Sequence, residues 1–408
     1  MLTEIQLENY AKVLFWGMQK ARVTPFAPGD IVLIRTDIAA LPLAEKMQAL
    51  VLKQGLNPVL RMNPPSTLEK GYFSLAEQEQ LSFVIPGDRE LYERLGGLVS
   101  LLAPDSITHL KDIPPTKIAT FSLARKYLRD ILDKRESTRE FGWTLCLMPT
   151  PALAENAAMS IEDYTAQIVR ASYLDEPDPV AAWEGIFQQA EGVKEWLNGM
   201  DVDHYRVQSA STDVRIYPGQ SRRWIGVSGH NIPSFELFMS PDHRLTEGTY
   251  HADQPSYRSG NLVSGVTLEF SEGKARVVSA DQGEEFVRSQ LEMDPGACQL
   301  GEFSLTDKRF SRISAFMAHT LFDENYGGEN GNCHVAVGAS YADTYAGDPA
   351  DFVLFDPDLA WVASAGALLS KGKNTPCLDK EVPGRVMAHF LGGRAIFSRL
   401  ETITLTRP

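Results

Sequence analysis

The sequence predicts an α/β protein: an N-terminal doubly wound, mainly parallel sheet followed by an α+β domain. Three observations carry this reading. Strand-like apolar runs alternate with helical stretches through the first 150 residues, which is the rhythm of βαβ units. Residues 160–200 read as helix. From about residue 203 the pattern changes to short alternating strands with two helical interruptions. The expected divisions are 1–150, 151–202 and 203–348, with 349–408 set apart by a different character.

Each element has a local reason. In MLTEIQLENYAKVLFWGMQK, Ile5, Tyr10, Val13 and Leu14 fall near helical spacing. Ile31–Arg35 reads as a buried strand after the turn APGD, and LAEKMQALVLKQG as a helix closed by Gly55. NPVLRM, Ser82–Ile85, Lys117–Thr120 and Trp143–Leu147 read as further strands. Ser160-x-x-Asp163 opens one helix, and Asp178-Pro179 starts the next. Beyond 203 the strands are HYRVQSAS, DVRIYP, RWIGVSG, GTYHAD, LVSGVTLEF and KARVVSAD, and the helices EEFVRSQLEM and RISAFMAHTLFD.

Composition narrows the classes. The 408 residues are 43% apolar and 23% charged, ordinary values for a soluble globular protein. A net charge of -14 argues against nucleic acid or anionic lipid as partner. No apolar run reaches the ~18 residues of a membrane helix, and the N-terminus lacks a signal-peptide core. The expectation is a cytoplasmic chain. Its four cysteines are scattered without a C-x-x-C pair, so reduced thiols are expected. No glycine-rich phosphate loop follows any strand, and a nucleotide site is not indicated.

Four places between 225 and 345 set charged or hydrogen-bonding residues in apolar or Gly-rich context. They are Glu236 in FELFMSP, Glu302 in LGEFSL, Asp323, Glu324 and His334 around FDENYGGENGNCHVAVG, and Tyr341. A carboxylate inside an apolar strand is costly unless paired or metal-bound. Carboxylates with a histidine form the ligand set of dinuclear zinc, manganese or cobalt sites. Each residue also has an ordinary reading. Glu236 could face solvent, Glu302 and Glu324 could serve turns, His334 could be a core histidine, and Tyr341 could be core.

From residue 1 to about 348 the chain resembles the aminopeptidase T family of metallopeptidases. The phrases that carry the resemblance include LENYAKVL, GDIVLIRTD, WTLCLMPTPA, NIPSFELFMSP, GTYHAD, LGEFSLTD, TLFDENYGGENGNCHVAVGASY and YAGDP. The resemblance implies removal of N-terminal residues from peptides by two divalent metals (zinc, cobalt or magnesium/manganese) with a bridging hydroxide, in a homodimer. It makes 203–348 the metal-binding catalytic domain. It assigns metal ligation to Glu236, Glu302, Glu324 and His334, and catalysis to Glu302 and Tyr341. Glu302 would bridge the metals and steer the water, and Tyr341 would stabilise the tetrahedral intermediate.

The resemblance also implies a later H-x-D element that supplies one His and one Asp. After Asp348 the only histidine is His389, with Leu391 at the acid position. The tail from about 347, with GDPADFVLFDPDLAW, LLSKGKNTP and PGRVMAHFLGGRAIF, instead resembles the C-terminus of bacterial dihydroorotases. The barrel and H-x-H motif of those enzymes are absent, which argues against dihydroorotase activity. The join suggests a fusion, a recombination or an assembly artefact, with divergence inside one family as the alternative. The expectation is an aminopeptidase impaired by lost ligands, or an inactive homologue binding at most one metal or peptide. Iron-dependent ring-opening dioxygenases on the same scaffold would need the same missing His and Asp.

Overall fold

The computed structural model describes every residue except 23, 259–260, 347–351, 365–366, 368–376, 392–393 and 400–408. The join at 347–351 and all of LLSKGKNTP therefore lie outside the described residues. The chain divides into two compact units, Met1–Tyr345 and Ala346–Pro408.

In the first unit, strands β1 (Ile31–Thr36), β2 (Asn57–Met62), β3 (Leu95–Leu102) and β4 (Gly142–Leu147) form a parallel sheet in the order β2-β1-β3-β4. A short strand, Asn231–Ile232, pairs parallel to β4 at the edge. Helices α1 (Glu4–Lys20) and α2 (Leu41–Lys53) share one core with Val32, Ile34, Val99 and Leu101. On the opposite sheet face, Leu33 and Leu98 pack with Leu128, Leu132 and Phe141. Thr3 and Gln6 close a capping box at the start of α1. Gly55, at φ +74, lets the chain leave α2 in a left-handed turn.

Three sequence expectations change. Ser82–Ile85 is a turn and loop, with Phe83, Val84 and Ile85 exposed; a short apolar run on the surface imitates a buried strand. Lys117–Thr120 lies inside the helix Pro115–Ala124, which opens with proline in its first turn. Of RISAFMAHTLFD only Thr320–Asp323 is helical. The strand β3 was not expected at all.

Two larger antiparallel sheets follow, beside a two-stranded one formed by Ser256–Arg258 and Asn261–Val263. One has the order Lys274–Ser279, Thr267–Ser271, Glu247–His251, Asp213–Ile216, Tyr205–Gln208. The other has the order Asn332–Val337, Leu300–Thr306, Glu236–Met239, Ile225–Gly226. The segment 225–239 is woven between sheets. It begins in this last sheet, crosses to the edge of the parallel sheet at Asn231–Ile232, and returns as Glu236–Met239. Where it crosses, Gly229 (φ +89) meets Gly17 of α1 so closely that a Cβ would lie 2.4 Å from the Gly17 carbonyl oxygen. Behind the return strand, Trp183 of helix Pro179–Asn198 fills the core. Trp183 stacks on Phe235 at 5.2 Å and 5°.

In the second unit, Phe352–Asp356, Arg385–Leu391 and Arg394–Ser398 form an antiparallel sheet, and Trp361–Val362 pairs with Glu381–Val382. Trp361 donates to the Gly384 carbonyl at 3.0 Å. Among the described residues no helix is long and apolar enough to cross a membrane.

Trp183 is nearly fully buried, so Trp183→Ala leaves a large hole behind Glu236. A loss of about 3–5 kcal/mol is expected, read as a lower midpoint of chemical denaturation. An unchanged midpoint would show that the stack does not support the sheet.

Candidate metal centre

Register places the site. Leu300–Thr306 is the central strand, with Ser304 opposite both His334 and Phe238, and Thr306 opposite Glu236. Side chains alternate along strands, so Glu302, Ser304, His334 and Glu236 share one face. Ligand atoms of Glu236, Glu302 and His334 lie within 4.8 Å of one another. His334 Nε2 is 3.1 Å from Glu302 Oε1 and 3.7 Å from Glu236 Oε2. Those spacings match edges of a coordination shell with bonds of about 2.0–2.2 Å. Both glutamates are buried, at 8% and 6% exposure.

Glu324 follows the helix Thr320–Asp323 and stands outside that triangle. It still feels the other two acids: burial first, then Glu236 and Glu302, hold its carboxyl well above the usual range. Burial and Glu302 raise Glu236 as well, against the opposing pull of His334. Burial would lower His334, but its hydrogen bond to Glu302 and the fields of both acids outweigh this and raise it. Two carboxylates face one imidazole, and a third, Glu324, lies close enough to feel both. One protonated histidine cannot offset that much negative charge, so the donor set fits a divalent cation, with carboxylate oxygen and imidazole nitrogen as its ligands.

Tyr341 is half-exposed, its ring 5.1 Å from Phe238 and its backbone N–H donating to Ser240 Oγ at 2.8 Å. Burial and then the nearby carboxylates push its hydroxyl up to about 12. Asp323 is not part of that triangle. Its carboxylate accepts the N–H groups of Met317 and His319 at 2.7 and 2.8 Å and ties the loop together. The side chains of His389 and Leu391 lie outside those described.

Two supporting residues were not visible in the sequence reading. Asn325 is fully buried and donates from Nδ2 to Glu236 Oε1 at 3.1 Å, while its Oδ1 accepts the Phe235 N–H at 2.6 Å. Ser304 donates to Glu236 Oε2 at 3.5 Å. Their partners are decided by register across the chain, although Asn325 stands beside Glu324 in FDEN.

Residues 3–352 match the family model described as thermophilic metalloprotease (M29). The chain belongs to this metalloprotease family. It is 27% identical over 83% of its length to aminopeptidase 2 of Geobacillus stearothermophilus, covering 84% of that protein. It is 31% identical over 51% of its length to aminopeptidase T of Thermus aquaticus, covering 52% of that protein. The solved structure of wild-type AmpT from Thermus thermophilus superposes with a TM-score of 0.68 at 22% identity, covering 83% of this chain and 87% of that one; this supports the fold. A dihydroorotase of Pelobacter propionicus also matches, 23% identical over 198 residues, 48% of this chain and 46% of that protein. That match is longer than the tail.

Membership in M29 makes a divalent metal part of the protein's chemistry, and the carboxylate–histidine triangle is a place for it among the described residues. Asn325→Ala removes the donor that aims Glu236. A drop of about 10–100-fold in metal affinity is expected, measured by competition with a chromogenic chelator; unchanged affinity would show that Asn325 is only structural.

His319 gives a pH prediction. Its Nδ1 accepts the Leu321 N–H at 3.3 Å, and burial pushes its pKa down from 6.5 to about 4. The unfolded chain takes up this proton near 6.5, the folded chain only near 4. The ring's contribution is therefore present above about pH 6.5 and is lost as pH falls toward 4. His319→Gln is expected to lose less stability between about pH 7 and about pH 5 than the parent chain. Equal losses in denaturation curves at both pH values would contradict this.

Proposed function

We propose that the chain is a metal-dependent aminopeptidase that hydrolyses the N-terminal bond of peptides. The observation that carries the reading is the buried Glu236–Glu302–His334 triangle on one sheet face of an M29 chain. Relatives named aminopeptidases support it.

Glu236, Glu302 and His334 would hold a divalent cation, with Glu324 as a further ligand once its proton is lost. When bound, such a cation supplies Lewis acidity and lowers the pKa of water toward neutrality. Zinc, cobalt and manganese suit this mixed nitrogen–oxygen set better than magnesium. Glu302 takes the proton of the attacking water and returns it to the leaving amine. Tyr341, kept protonated at neutral pH, donates a hydrogen bond to the developing oxyanion. The surplus of carboxylates suits the α-ammonium of the substrate. The reading includes a cytoplasmic homodimer and a second metal, as the family resemblance implies.

One observation favours a weaker reading: Leu391 stands where the resemblance calls for an acid ligand. A chain with one cation and slow or no turnover follows from it.

Elemental analysis after loading with zinc or cobalt, paired with leucyl-anilide hydrolysis, decides between them. Two tightly held metals with chelator-sensitive turnover are expected of the full reading, and one metal with feeble turnover of the weaker one. No bound metal and no hydrolysis would sink the peptidase proposal. In an active preparation, Glu302→Gln is expected to lower kcat/KM by about 10²–10⁴-fold. Tyr341→Phe should lower kcat by about 10²–10³-fold.

A further inference from the structure

A cavity of about 1040 Å³ lies in the first unit, over the sheet face that carries Leu98 and Trp143, and it reaches the carboxyl ends of β1 and β3. Its volume is near the upper end of small-molecule sites. The strand order reverses at this point: β1 leads to β2 on one side, and β3 lies on the other. Open parallel sheets bind ligands at such reversals, but what they bind must be read from the residues.

Parallel strands covered on both faces are expected to be apolar throughout. Here the pattern breaks in two adjacent places. Leu33 is followed on the same face by Arg35, and Leu98 by Ser100. Arg35 and Ser100 pair directly in register, and both line the cavity. Arg61, in register with Arg35 on its other side, has Asp88 at 2.7 Å. Among the described residues Arg35's hydrogen-bond partner is the Tyr92 hydroxyl, at 2.6 Å, and not a carboxylate. A half-buried guanidinium without counter-charge is suited to a carboxylate, which it can bind with two parallel hydrogen bonds. His109 lines the same cavity; its Nε2 is 2.7 Å from Glu69, and its Nδ1 is buried without a partner. A buried polar atom left unpaired calls for an explanation.

The rest of the lining specifies the ligand further. Leu128, Leu132, Phe141 and Trp143 give an apolar wall. Asp37, Glu69 and Asp105 stand on the polar side, and together with Asp133 and Glu136 they outnumber Arg35, Arg125 and Arg129 in the lining, which disfavours a polyanion and suits a ligand that also carries a positive charge. We propose that this cavity is a non-catalytic site for a free α-amino acid with a large apolar side chain. The carboxylate sits on Arg35 and Ser100, the ammonium faces the carboxylates of the polar side, and the side chain lies against the apolar wall. If the chain releases amino acids from peptides, the site senses product. Binding itself does not depend on that activity.

Calorimetric titration of the full chain with leucine and with phenylalanine tests this. Metal is first removed with EDTA, so that no cation at Glu236, Glu302 and His334 can hold the ligand. One saturable site is expected. Leucinamide, which lacks the carboxylate, and the Arg35→Met chain should each bind or be bound at least about tenfold more weakly, the scale of one lost charge-assisted hydrogen bond. Ser100→Ala keeps the charge and should lose about threefold, so the test does not hinge on the folding of one variant. No saturable binding of either amino acid by the parent chain overturns the proposal. So does leucinamide binding as tightly as leucine, or full binding by Arg35→Met. Absence of leucyl-anilide hydrolysis by the metal-loaded chain, with the calorimetry intact, would count against the peptidase reading alone.

Discussion

Crowding of like charge out of water is the constraint around which the first unit is arranged. Glu236 and Glu302 converge on one imidazole nitrogen, with Glu324 close enough to act on both, in a place where each ionised carboxylate is costly. Neighbouring groups are aimed at keeping them there. Asn325 and Ser304 donate to Glu236, and Asp323 holds the backbone of the loop that delivers Glu324. Behind them the Trp183–Phe235 stack fixes the strand from which Glu236 projects. Without a cation the cluster relaxes by holding protons, which is the direction in which Glu236 and Glu324 shift.

Much of this was legible in the sequence, and the failures have physical causes. IVLIRT and GWTLCL read as strands because a sheet covered on both faces needs apolar runs; NPVLRM reads as a strand too, although at the sheet edge its residues are only half-buried or exposed. LGGLVSLL was missed because glycine looks like a breaker. Its real reason is contact: a Cβ on Gly97 would come within 2.4 Å of the Met18 sulfur of α1. Tertiary packing, invisible to a local window, decided that residue. The reverse error occurred at Phe83–Ile85, where an apolar run lies on the surface. Glu236, Glu302 and His334 stood out one by one as polar groups in apolar strands. Their meeting depends on a register linking residues almost a hundred positions apart. Asn325 carries no local signal beyond its neighbours, because its partners come from a strand far away in the chain.

The two ends of the sequence tell different stories. The family match reaches residue 352 and so runs just past the change of character at 347. Beyond it lies a small antiparallel unit with its own sheet and its own tryptophan contact. Among the described residues one group of three side chains could hold a metal ion, and it lies wholly before the join.

The woven segment 225–239 also bears on how the protein is made. Among the described residues the outer edge of β4 is paired with Asn231–Ile232 alone, some eighty positions later in the chain than β4 itself. A ribosome releasing the polypeptide from its N-terminus therefore exposes that edge while the long helices and first antiparallel strands are still being synthesised. Open edges of this kind recruit other strands. The nascent sheet is thus most vulnerable to mispairing during one defined interval of translation, which closes when Gly229 docks against Gly17 and Asn231–Ile232 zip onto β4.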